Sequence, residues 1–127
     1  MMEKVLRVAR LFDLYGDLLT ERQQEFIRLY YEEDFSLGEI AAAFNISRQA
    51  VYDTLRRGEA LLEEWEEKLG LLQRNQCWSR AMNRVLKLLD RLQVRVGGDE
   101  ESLSLIEEIR GLVNPFQDSW GKGGEQC

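Results

Sequence analysis

The chain of 127 residues contains no histidine. That absence removes the commonest general acid or base near neutral pH, the Ser-His and Cys-His nucleophile pairs, and the usual zinc ligand. No glycine-rich phosphate loop and no acidic motif with magnesium-site spacing takes its place. Catalytic residues, metal ligands and cofactors are therefore expected to be none, and the protein is expected not to be an enzyme. Proline occurs once and glycine ten times, which leaves long uninterrupted amphipathic segments and predicts an all-α fold. Cys77 and Cys127 have no second pair with which to build a disulfide framework, so no disulfide is expected. No apolar run approaches the roughly 20 residues that span a bilayer. The opening MMEKVLRVARLFDLYGD carries charges through its apolar part, unlike a signal peptide. A cytoplasmic location without membrane contact is the expectation.

What is present is enough apolar material for a core, 44% of residues, and a net charge of −6 that is unevenly distributed. From Glu59 to Leu72 there are five acids against Lys68; from Gln73 to Val96 there are six bases against Asp90.

Hydrophobic spacing places a helix over Met2–Tyr15, with Val5, Leu6, Val8, Ala9, Phe12 and Leu14 on its apolar positions, ending at Gly16-Asp17. Thr20 with Gln23, and Ser36 with Glu39, have capping-box spacing, in which hydroxyl and carbonyl-bearing side chains each satisfy an orphaned backbone N–H at a helix start. The second box opens a short helix Leu37–Phe44. Asn45 can hold the left-handed conformation of a sharp turn, and Ser47 caps a long helix running to about Leu69. Ile40, Phe44, Ile46, Val51 and Leu55 would share a core, with the small Ala41 at closest approach. This is a helix-turn-helix pattern.

Val51, Leu55, Gly58, Leu62, Trp65, Leu69 and Leu72 continue the long helix as an a/d seam. The polar QRNQ is read as a break, after which Trp78, Met82, Val85, Leu89, Leu92 and Val96 form a second long helix. Ser102 would open a last helix ending at Asn114-Pro115, before a glycine-rich tail. The domain expectation is residues 1–72 as a helix-turn-helix domain of three or four helices without a wing, 73–114 as a helical segment packing on it or on a partner subunit, and 115–127 as a flexible tail. A homodimer is expected through a seam of Leu62, Trp65, Leu69, Val85 and Leu89.

Two basic surfaces are candidate nucleic-acid sites. Arg48, Gln49 and Tyr52 near the start of the long helix, with Arg56 and Arg57 beyond, could enter a major groove, since arginine and glutamine have fork geometries for guanine and adenine edges. Asp53 and the following acids oppose phosphate contacts there. Arg80, Arg84, Lys87, Arg91 and Arg95 recur every three or four residues on the later helix. They would either complement the acidic Glu59–Glu67 flank, within the chain or across a dimer, or form a phosphate-binding edge. Complementarity is favoured, because both stripes flank apolar seams.

The run LLTERQQEFIRLYYEEDFSLGEIAAAFNISRQAVYDTLRRGEALLEEWEEKLGL, Leu18 to Leu71, closely resembles the small bacterial YlxM family, which is similar to the promoter-reading helix-turn-helix of sigma factors. YYEEDFSLGEIA followed by NISRQAVYD carries the likeness most specifically. The resemblance implies an all-helical protein, usually encoded beside the signal recognition particle GTPase and its receptor and inferred to regulate that targeting pathway. Implied partners are that GTPase, its RNA, or both. Arg48, Gln49, Tyr52 and Arg56 correspond to a sigma factor's reading positions. A non-enzymatic adaptor or regulator of the particle is thus the leading expectation, and a sigma-like DNA-binding transcriptional regulator the alternative.

Overall fold

The computed structural model describes residues 2–119, with side chains described as far as residue 114. All regular structure among the described residues is helical: α1 (Met2–Tyr15), α2 (Glu21–Ile27), α3 (Leu37–Phe44), α4 (Arg48–Leu69), α5 (Leu71–Val96) and α6 (Glu100–Ser119). The chain divides into two compact units, residues 1–72 and 73–127.

In the first unit the local chemistry fixes each boundary. Thr20 and Ser36 both close capping boxes: the N–H of Gln23 donates to the Thr20 hydroxyl at 3.2 Å and that of Glu39 to the Ser36 hydroxyl at 3.0 Å. Asn45 takes φ 54°, and the N–H of Ile46 reaches back to the carbonyl of Ala41 at 3.1 Å, so α3 ends in a Schellman turn. The Ser47 hydroxyl then accepts the N–H of Ala50 and starts α4. Two helices are joined in three residues because one side chain tolerates left-handed backbone and the next supplies a cap.

One irregularity was not legible in the pattern. After α2 the chain widens into a π turn over Arg28–Glu32, with Glu33 N–H donating to the carbonyl of Arg28 at 3.1 Å. Asp34 comes next at φ 57°, and Phe35 N–H closes on the carbonyl of Leu29 at 2.9 Å.

The core gathers Val8, Leu11 and Tyr15 of α1, Phe26 and Ile27 of α2, Ile40 and Ala41 of α3, and Val51, Leu55 and Leu62 of α4. Phe26 meets Phe44 edge to face at 4.9 Å, and Phe44 and Ile46 are half-buried around it. The apolar face of α1 differs from the expected one: Val5 and Leu6 are exposed, while Leu11 and Tyr15 turn inward. Leu62 is fully buried in this core and Trp65 packs on Tyr15 at 6.4 Å between ring centroids, so the first part of the expected oligomer seam is occupied by the unit's own α1 and α2. Leu69 is exposed.

The helix break falls at Gly70, not at QRNQ. Gly70 adopts φ 64° and ends α4, and α5 begins at once. Its first donors are held by the unit's side chains: Leu71 N–H donates to the Tyr15 hydroxyl at 3.1 Å and Leu72 N–H to a Glu66 carboxylate oxygen at 2.9 Å. Polar residues do not stop a helix whose start is capped, and QRNQ lies inside α5.

In the second unit α5 and α6 form a hairpin. Gly97 turns at φ 63°, and Asp99, not Ser102, caps α6, accepting the Ser102 N–H at 3.3 Å and the Ser102 hydroxyl. Arg110 of α6 reaches back to Asp90 at 2.6 Å and Gln93 at 3.1 Å on α5. Ile106 and Val113, which share that face of α6 with Arg110, are buried, as is Leu89; Val85 is half-buried and Trp78 is half-exposed rather than core. The last helix passes through Asn114-Pro115 to Ser119. Pro115 leaves the carbonyl of Gly111 without a ladder donor, and Gly111 is exposed, so water can satisfy it. The expected tail is therefore helical over 115–119; its remainder lies outside the described residues. Among the described residues no cysteine is free: Cys77 is disulfide-bonded, against expectation, and Cys127 lies outside them.

Candidate nucleic-acid interface

The turn at Asn45 and the cap at Ser47 present the start of α4 to solvent, and Arg48, Gln49, Tyr52, Arg56 and Arg57 are all exposed. The helix brings four of them onto one face, since Arg48, Gln49, Tyr52 and Arg56 recur at spacings of one, three and four. They are not equally available. Gln49 donates its amide to Asp53 at 2.9 Å, and the Arg56 guanidinium lies over the Tyr52 ring at 5.9 Å. Arg48 stands beside the start of α3, where a Cβ on Gly38 would lie 3.9 Å from its Nε. Asp53 thus sits inside the face and uses one of its three forked groups, the amide of Gln49, leaving the guanidinium groups of Arg48 and Arg56.

The acidic flank of α4 is engaged within its own unit. Glu63 holds Arg7 of α1 through two bonds of 2.6 and 2.7 Å, and Glu59 accepts the Tyr31 hydroxyl and lies 3.6 Å from Lys4. Glu64 pairs with Lys68 at 3.0 Å, and Glu66 accepts the Tyr15 hydroxyl at 2.8 Å. The pairing is visible in the protonation equilibria. The Arg7 hydrogen bond holds the Glu63 carboxyl below its usual range, and the same bond raises Arg7. Burial, reinforced by Glu59, pushes the Tyr31 phenol well up. A helix that is acidic in sequence is largely neutralised where it packs on α1. Sequence reasoning missed Lys4 and Arg7 because their partners lie more than fifty residues away; the signal was there in the matching i, i+3/i+4 spacing of Lys4, Arg7 and Glu59, Glu63.

The second stripe has no such engagement. Arg80, Arg84, Lys87, Arg91 and Arg95 are all exposed on one face of α5, and none of them forms an ion pair among the described residues. They extend over about 22 Å at the helical rise of 1.5 Å per residue. Arg110 of α6 takes Asp90 away from the stripe. Of the acids expected to complement the stripe, Glu59, Glu63 and Glu66 meet side chains of α1 instead, and Glu64 pairs with Lys68 of its own helix. An exposed row of arginines is chemically suited to phosphates, which it can grip by forked hydrogen bonds.

Among the described residues no group of three acidic or cysteine side chains is placed to hold a metal ion, and no helix is long and apolar enough to cross a membrane.

Comparison with known proteins places this geometry in a lineage. The UPF0122 family, described as "Putative helix-turn-helix protein, YlxM / p13 like", matches residues 2–107. UPF0122 proteins of Geobacillus kaustophilus and Halalkalibacterium halodurans are each 46% identical over 112 residues, covering 88% of this chain and 99% of theirs. A Bacillus cereus UPF0122 protein is 47% identical over the same coverage.

Proposed function

The chain belongs to the UPF0122 family of YlxM/p13-like helix-turn-helix proteins, and from that membership and its surface we propose that it is a non-enzymatic cytoplasmic regulator acting by binding. Its target on this reading is the signal recognition particle, through the particle's RNA, its GTPase, or both, with the RNA backbone lying along α5. The observation that carries the reading is the row Arg80, Arg84, Lys87, Arg91 and Arg95, exposed and without ion pairs among the described residues. A row of bases that found acids inside the chain would be a structural device; one that faces solvent is a surface for an anion. The targeting pathway itself enters through the resemblance to YlxM proteins. A protein of this kind regulates by holding one state of its partner more tightly than another.

The exposed α4 face supports a second reading, a sigma-like regulator that reads duplex DNA through Arg48, Gln49, Tyr52, Arg56 and Arg57. Titrating the full chain at two salt concentrations against the particle's RNA, its GTPase and a random DNA duplex separates the two. Salt-sensitive binding to the RNA, or salt-tolerant binding to the GTPase, with weak duplex binding supports the first. Tight duplex binding with neither of the others overturns it in favour of DNA reading.

A further inference from the structure

The hairpin of the second unit has an apolar side that its own two helices do not cover. On α5, Leu88 and Leu92 lie one turn apart and are 44% and 46% exposed; on α6, Leu105, Ile109 and Leu112 fall at i, i+4 and i+7 and are 56%, 39% and 66% exposed. Ile106, Arg110 and Val113 give the direction of α6, because Arg110 bonds to Asp90 and Gln93 across the hairpin. With 3.6 residues per turn, Leu105, Ile109 and Leu112 then fall on the same side of the hairpin as Leu92, with Leu88 at its border. Ile109 stands level with Leu92, and Leu112 with Leu88 and Leu89. Together they make one strip. Five half-exposed aliphatic side chains in a row present apolar area on the order of a few hundred Å², the size at which a surface patch marks an interface.

The edges of the strip identify the occupant. Its α5 border carries Arg84, Arg91 and Arg95, and its α6 border carries Glu101 and Glu108; none of these forms an ion pair among the described residues. A surface with a basic edge and an acidic edge is self-complementary under a two-fold axis parallel to the helices, since each α5 then lies over the other copy's α6. Glu108 of one copy comes level with Arg91 and Arg95 of the other. An unrelated acidic or basic partner would satisfy one edge and oppose the other.

We propose that this strip is the homodimer interface, a four-helix arrangement of two α5–α6 hairpins, in place of a seam through Leu62 and Trp65. The interface draws Arg84, Arg91 and Arg95 of the basic row to its edge and leaves Arg80 and Lys87 on the outer side of α5, so the dimer is read by sedimentation and the RNA-binding reading, separately, by titration.

The test is sedimentation equilibrium of the full chain over a wide concentration range. The wild type is expected to sediment as a dimer, and Leu105→Glu with Ile109→Glu as a monomer with an unchanged helical circular dichroism spectrum. Glu108→Arg should weaken the dimer about tenfold by setting like charges together. Adding Arg95→Glu to it should restore the dimer, which a mere folding defect would not allow. A monomeric wild type, a dimer indifferent to the two apolar substitutions, or a charge swap that fails to restore it would each overturn the proposal.

Discussion

A Cβ placed on Gly58 would stand 2.9 Å from Cδ1 of Ile27, so α2 and α4 approach to a distance that excludes a side chain at this point of the seam. Ile27 is buried in the core and cannot simply swing aside. Gly58→Ala gains helix propensity worth about 1 kcal/mol but forces the core apart, and overpacking typically costs about 1–3 kcal/mol. A net loss of about 1 kcal/mol is expected in urea unfolding. Ile27→Val removes the obstructing methyl, so the double variant should lose less than the two single losses added together.

The two capping boxes should be separable contributions to the stability of the head. Thr20→Ala and Ser36→Ala are each expected to cost about 1 kcal/mol, and their effects should add, because they cap different helices. Asn45→Gly should be near neutral, whereas Asn45→Val should be clearly destabilising, since a β-branched residue is strained at φ 54°. Chemical denaturation of these four variants and of the Thr20→Ala/Ser36→Ala double checks all of this.

Acid and alkali should attack different contacts. Glu63, lowered by its hydrogen bond to Arg7, contributes stability that is fully present above the ordinary carboxylate range and lost as pH falls through its depressed value. Both partners are about half exposed, at 50% and 49%, so the loss should stay under about 1 kcal/mol. Tyr31, raised first by burial and then by Glu59, contributes stability that is present below the ordinary phenol range and lost as pH rises through its elevated value. Thermal melts against pH should show Glu63→Gln flattening the acid side and Tyr31→Phe the alkaline side.

The two basic faces make opposite predictions for nucleic acid. Arg84→Glu with Lys87→Glu should abolish RNA binding and leave any duplex binding in place, and single truncations along α5 should each lower the salt slope by about one. Truncating Arg48 should cost duplex binding roughly 1–3 kcal/mol if that side chain reads a base, and leave RNA binding unchanged. Fluorescence anisotropy at two salt concentrations distinguishes these outcomes.

Where the sequence was readable, the signal was local. Thr20, Ser36, Asn45 and Ser47 announce their roles within three or four residues, and these roles together define the helix-turn-helix. The scarcity of proline and the spacing of apolar residues likewise mark the all-helical class. What could not be read depends on distant pairing. The acids of α4 looked like natural partners for the nearest basic helix in sequence, yet Glu59 and Glu63 meet Lys4 and Arg7 of α1. The seam through Leu62 looked free for a second subunit because periodicity shows that a face is apolar and not what covers it. The helix start at Leu71 was hidden by QRNQ, although a Tyr15 hydroxyl and a Glu66 carboxylate supply its first acceptors. The candidate reading face of α4 was legible as a row of residue types; its internal Gln49–Asp53 bond was legible only as an i, i+4 spacing.

The wide turn at Arg28–Glu32 gives this segment an unusual relation to its own length. A π turn holds one residue more than an α-helix would use over the same stretch, and that residue sets the phase of Tyr31, which meets Glu59, and of Phe35, which closes on Leu29. Deleting one residue between Arg28 and Glu33 would let the stretch close as an ordinary α turn, removing the extra residue that brings Tyr31 to Glu59 and Phe35 back onto Leu29.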